Sequence, residues 1–132
     1  MKPLLTLPVL AAAVLAVAMS AAPAKAHHSF AMYDSARLIT VNATVKEFDW
    51  TNPHAILWIV TGPNGAAPAE TWSIELPTSP GNLMRLGWTK HSLKPGDRIT
   101  LEFNPLRDGA KGGSFKKATL QGAGQVLLVN LK

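Results

Sequence analysis

Four histidines are the residues best suited to chemistry in this chain: His27, His28, His54 and His91. Imidazole titrates near neutrality and is a common metal ligand. The chain contains no cysteine, so any metal must be held without thiolate, mainly by nitrogen and oxygen donors. His27 and His28 follow Ala24-Lys25-Ala26, a small-x-small tripeptide of the kind cut by signal peptidase. A cut behind Ala26 would free an α-amine on His27, with a pKa of about 7.7–8.0. That amine and His27 Nδ1 could chelate one ion, and an imidazole from elsewhere would complete a T-shaped nitrogen set, a histidine brace. A second arrangement uses the amine, the next amide and the His28 imidazole. Both suit Cu(II), which favours tetragonal nitrogen-rich geometry; Zn(II) or Ni(II) would accept similar ligands.

His54 is the first choice for the remote ligand. It follows Thr51-Asn52-Pro53, a turn stiffened by proline, at the mouth of a strand. His91 is the weaker candidate. Tyr33, Asp34 and Asp49 could stand behind or axial to the ion, and Trp50 and Trp58 flank His54. The plainer possibility is that His27 and His28 belong to an unordered tail and that His54 only serves its turn.

The elements that must position these groups begin after a leader. Lys2, an apolar run from Leu4 to Met19 and the Ala-Lys-Ala site describe a cleavable signal over residues 1–26. The run is too short for a spanning helix, which needs about 20 apolar residues. The expectation is a bacterial protein of the periplasm or exterior, with no membrane span after cleavage. The 13 Lys and Arg lose Lys2 and Lys25 with the leader, leaving 11 against 8 Asp and Glu. That mild, scattered excess, with Lys111, Lys116 and Lys117 read as a solvated face, together with export, argues against a nucleic-acid partner.

Residues 27–36 read as an extended arm and 37–132 as one small domain. Leu38 to Trp50 alternates as a half-buried strand. Ile56–Thr61 and Glu70–Leu76 follow, joined by Gly62-Pro63-Asn64-Gly65 as a hairpin. In the third strand Trp72, Ile74 and Leu76 share one face, and Thr71, Ser73 and Glu75 the other. Ser79-Pro80 reads as N-cap and first turn of a short helix stopped by Gly87, with Leu83, Met84, Leu86 and Trp88 available to pack it. Arg98–Phe103, a glycine-rich loop over 108–113, Phe115–Leu120 and Val126–Leu131 complete the pattern. It predicts a mainly all-β fold: a small OB-like Greek-key barrel of five or six strands, with its helix between strands three and four. A small β-sandwich is the alternative.

Most aromatic residues read as core. Trp58 lies within an apolar run, whereas Trp50 and Trp88, next to turns, are the expected exposed pair and a possible ligand face. No nucleophile elbow, phosphate loop, His-Glu-x-x-His or dinucleotide fingerprint is present, and no pair of acids is spaced for acid–base hydrolysis.

His27-His28-Ser29-Phe30, Trp50-Thr51-Asn52-Pro53-His54, Gly87-Trp88-Thr89 and Leu93-Lys94-Pro95-Gly96-Asp97, in this order, resemble the DUF6152 family of small exported bacterial proteins. The resemblance covers essentially the whole mature chain. It implies a single exported domain and supplies no function. The residues themselves point to a non-enzymatic copper-binding protein using His27, His28 and His54. The alternatives are a metal-independent module that binds an envelope protein or small molecule, and a copper-dependent oxidative enzyme.

Overall fold

The computed structural model describes residues 30–62 and 68–129. The expected leader cut, His27 and His28 lie outside the described residues, as does most of the expected hairpin turn. Six strands follow in order: β1 (Ile39–Asp49), β2 (Ile56–Thr61), β3 (Glu70–Glu75), β4 (Arg98–Pro105), β5 (Gly112–Leu120) and β6 (Val126–Leu128). One short helix, α1 (Pro80–Arg85), lies between β3 and β4, where the sequence places it. Among the described residues no helix is long and apolar enough to cross a membrane.

The strands pair in the order β3-β2-β1-β4-β5-β6, and β3 also pairs with β5, closing five strands into a barrel. Alternation decides which side chains fill it. Ala43 and Val45 of β1, Leu57 and Ile59 of β2, Ile74 of β3, Ile99, Leu101 and Phe103 of β4, and Phe115 and Ala118 of β5 are buried together. Two register shifts, between Val45 and Glu47 and between Glu102 and Phe103, bend the sheet as closure requires.

The closing pairing is parallel and short: Ser73 with Gly112, Ile74 with Gly113 and Glu75 with Ser114. Here the structure corrects the expected loop over 108–113, because Gly112 and Gly113 are buried strand residues. A Cβ on Gly113 would lie 2.3 Å from Phe103 Cδ2 and 2.6 Å from the Asn104 carbonyl oxygen. Glycine is required because β4 approaches too closely for any side chain. The free edge of β5 is thus shared, with β3 along Gly112–Ser114 and β6 along Lys117–Thr119. Among the described residues β6 runs from Val126 to Leu128.

At the N-terminus of α1 the Ser79 hydroxyl accepts the Asn82 amide at 3.3 Å, and after the helix Gly87 turns the chain with φ 89°. Leu83 and Trp88 face the core, whereas Met84 and Leu86 are exposed, contrary to the expected packing set. Trp88 is also a correction to the expected exposed pair. It is only 2 % exposed, packs edge-on against Phe115 with centroids 5.4 Å apart, and donates Nε1–H to the Leu128 carbonyl at 2.9 Å. A tryptophan beside a turn can be drawn inward when its one polar atom finds a backbone partner there.

A candidate metal site on the outer face of the barrel

Inward alternation of Leu57, Ile59 and Ile74 turns Ile56, Trp58, Ser73 and Glu75 outward on the β2–β3 face. The β2–β3 register sets Ile56 opposite Glu75 and Trp58 opposite Ser73. The turn between β1 and β2, with a cis Asn52–Pro53 peptide, delivers His54 to the end of this face. These residues line a cleft of about 390 Å³, bounded also by Met32, Tyr33, Leu106 and Gly113.

The arm forms the near wall. It is not simply extended: Phe30–Met32 makes one 3-10 turn, and Tyr33 then bridges to Leu106. Three hydrogen bonds pin it to the end of β4. The Asp34 amide donates to the Pro105 carbonyl at 2.8 Å, the Arg107 amide to Met32 at 2.9 Å, and Arg107 Nε to Ala31 at 3.0 Å. The Phe30 ring consequently lies beside that of His54, with centroids 6.5 Å apart and planes inclined at 31°.

Glu75 organises the cleft. Tyr33 donates its hydroxyl to Oε2 at 2.5 Å, and His54 Nδ1 meets Oε1. The His54 and Glu75 side chains keep 26 % and 16 % of their surface. A carboxylate accepts and does not donate, so this contact places an imidazole proton on Nδ1, and in the neutral ring the lone pair is then on Nε2. Burial first, then the bond to Glu75 and its charge, push the Tyr33 phenol well above the usual tyrosine range.

Of the residues singled out from sequence, His54 and Tyr33 meet here. Asp34 instead caps its own turn, accepting the Ala36 amide at 3.2 Å. Asp49 closes β1 opposite Ile56 and does not line the cleft. Trp50 packs edge-on against Phe48 with centroids 5.5 Å apart. Trp58, expected to pack inside, is 37 % exposed and lines the cleft. His91 is exposed after α1, its amide held by Thr89, and takes no part. Glu75 was missed as a site residue because it reads as one polar position on the solvent side of β3. The hairpin register would have found it, since pairing Thr61 with Glu70 sets Glu75 opposite Ile56, two residues from His54.

Among the described residues no three His, Cys, Asp or Glu side chains converge as a metal site. The basic residues named above are largely paired. Lys111 bonds Glu70 at 2.7 Å, which holds that carboxyl below its ordinary range, and Lys117 bonds Glu102 at 2.6 Å.

The DUF6152 model, described as a family of unknown function, matches residues 13–116. This chain belongs to that family. No curated protein matches this DUF6152 member. Among solved structures it is similar to the mitochondrial single-stranded DNA binding protein Rim1 of S. cerevisiae. The two are 11 % identical with a TM-score of 0.50, over 64 % of this chain and 93 % of the other. At that identity the likeness shows a shared barrel fold and nothing about ligand.

Proposed function

We propose that this DUF6152 protein is an exported, non-enzymatic copper-binding barrel whose Cu(II) ligands are the α-amine and Nδ1 of His27 and Nε2 of His54. The observation that carries this reading is the contact of Phe30 with His54. His27 stands three residues before Phe30, and an extended chain spans at most about 3.3–3.6 Å per residue. Such a span would let His27 reach His54 in this reading. Glu75 supports the same reading, because metal-bound imidazoles characteristically give their other N–H to a carboxylate. The position fits an OB-like barrel too: such barrels use the face of strands two and three and the adjoining loops for ligands. His28 is the alternative anchor through the amine and its own imidazole, independent of His54.

Among the described residues, the His54 ring meets the Glu75 carboxylate and no hydroxyl nucleophile.

The test is Cu(II) binding to two purified forms, one beginning at His27 and one with a glycine added before it. Tight binding by the first alone, lost again in His54→Ala, is the expected result. Equal binding by both forms overturns the role of the amine. Absence of binding in both leaves the cleft to a metal-independent partner.

A further inference from the structure

We propose that Met32 supplies a thioether ligand for Cu(I) in the His54 cleft, so that the site holds a soft sulfur donor beside its imidazole. The inference rests on the copper reading of this cleft and adds to it a residue and an oxidation state.

Thioether and thiolate sulfur select Cu(I), whereas amines and imidazoles serve Cu(II) well. This chain has no cysteine, so methionine is its sole sulfur donor. Of its four methionines, Met1 and Met19 fall in the expected leader, leaving Met32 and Met84. Met84 sits on the exposed side of α1, away from the cleft. Met32 lines the same cleft as His54 and keeps 36 % of its surface.

The backbone makes that placement firm. Met32 ends the 3-10 turn, its carbonyl accepts the Arg107 amide at 2.9 Å, and the next residue is locked to Glu75 through the Tyr33 hydroxyl. The main chain is thereby fixed on both sides, while the unbranched side chain keeps three rotatable bonds and can turn its sulfur toward the ion. His54 Nε2 and Met32 Sδ form a mixed nitrogen–sulfur pair suited to the low coordination numbers of Cu(I). The cleft can then retain the ion in either state, with nitrogen donors dominating for Cu(II) and sulfur recruited for Cu(I). No electron transfer by the protein is involved.

The experiment compares the chain beginning at His27 with Met32→Leu and Met84→Leu, titrated anaerobically with Cu(I) against a competing chelator and aerobically with Cu(II). Leucine nearly conserves volume, so the fold is kept. Met32→Leu is expected to lower Cu(I) affinity roughly tenfold or more, as loss of one soft ligand should. Its Cu(II) affinity should stay unchanged, and Met84→Leu should alter neither. With Ag(I) as a redox-inert mimic, the Met32 methyl resonance should shift and that of Met84 should not. Unchanged Cu(I) affinity in Met32→Leu, or equal loss of Cu(I) and Cu(II), overturns the inference. Repeating the Cu(I) titration on the form with the added glycine separates the two proposals. Met32-dependent binding there upholds this one even where the amine reading has failed.

Discussion

Tyr33 and His54 grip opposite oxygens of one carboxylate, that of Glu75, although 21 residues separate His54 from Glu75 and 42 separate Tyr33 from it. The arm before β1 and the turn after it are thereby tied to the same point on β3. Tyr33 is the only tyrosine in the chain, so its ionisation can be followed by phenolate absorbance. Its folded value is raised above the ordinary 10.0, which fixes the sign. The native state keeps its proton where the unfolded chain loses it, so the contribution to stability is complete below about pH 10 and declines as pH rises further. The native protein should show no phenolate signal at about pH 10.5, while the denatured chain shows most of it. Tyr33→Phe should flatten the alkaline fall in stability measured by urea unfolding.

Glu75→Gln should weaken Cu(II) binding by about 10–100-fold, the usual effect of removing a carboxylate behind a metal-bound imidazole. Glutamine replaces one of the two oxygens by an amide donor, so Tyr33 and His54 can no longer both donate to the side chain as they do to the carboxylate. If its amide turns toward Nδ1 instead, it donates there and moves the imidazole proton to Nε2. Nitrogen chemical shifts of the apo protein should report that tautomer change separately from any titration with copper. An unchanged tautomer and unchanged affinity would remove Glu75 from the site.

Substitution of the two described histidines should give opposite results. His54→Ala should abolish the tight Cu(II) site of the form beginning at His27. His91→Ala should leave it intact, because His91 is exposed beyond α1 and faces no part of the cleft. Calorimetric titration distinguishes them, and comparable loss in both would indicate nonspecific imidazole binding.

Gly113→Ala should destabilise the fold by about 3 kcal/mol, the upper part of the range for overpacking. The added methyl meets the Asn104 carbonyl, which belongs to the backbone and cannot rotate away, as well as Phe103. Denaturant unfolding measures the loss. Gly109→Ala, in open space but at φ 80°, should cost less, about 1 kcal/mol from its backbone conformation alone.

Local rules made much of the barrel legible. The bounds of β2 follow from its apolar run, the helix from Ser79, Pro80 and Gly87, and the lining of β4 from the alternation of Ile99, Leu101 and Phe103. What local rules could not show was any property set by closure. Gly112 and Gly113 look like loop residues until β3 is laid beside them. Trp58 and Trp88 exchange their expected exposures because one lies on the outward phase of β2 and the other finds the Leu128 carbonyl. Of the residues that meet at Glu75, the sequence singled out His54, from its turn, and Tyr33, as a group that could stand behind or axial to an ion. Glu75 depended on register across a hairpin, which is a relation between two segments and not a property of either.

The parallel pairing that closes the barrel covers three residues of β3, and the last of them is Glu75. Its backbone faces Ile56 on one side and Ser114 on the other, while its side chain holds the arm and the β1–β2 turn. The carboxylate that orients the cleft therefore sits on the seam of the cylinder. A ligand of the proposed site at His54 would draw on a strand contact that exists only once the cylinder is shut, and would act as a latch, adding its binding free energy to closure. Under the proposed function, occupancy of the cleft and integrity of the seam would be two readouts of one equilibrium.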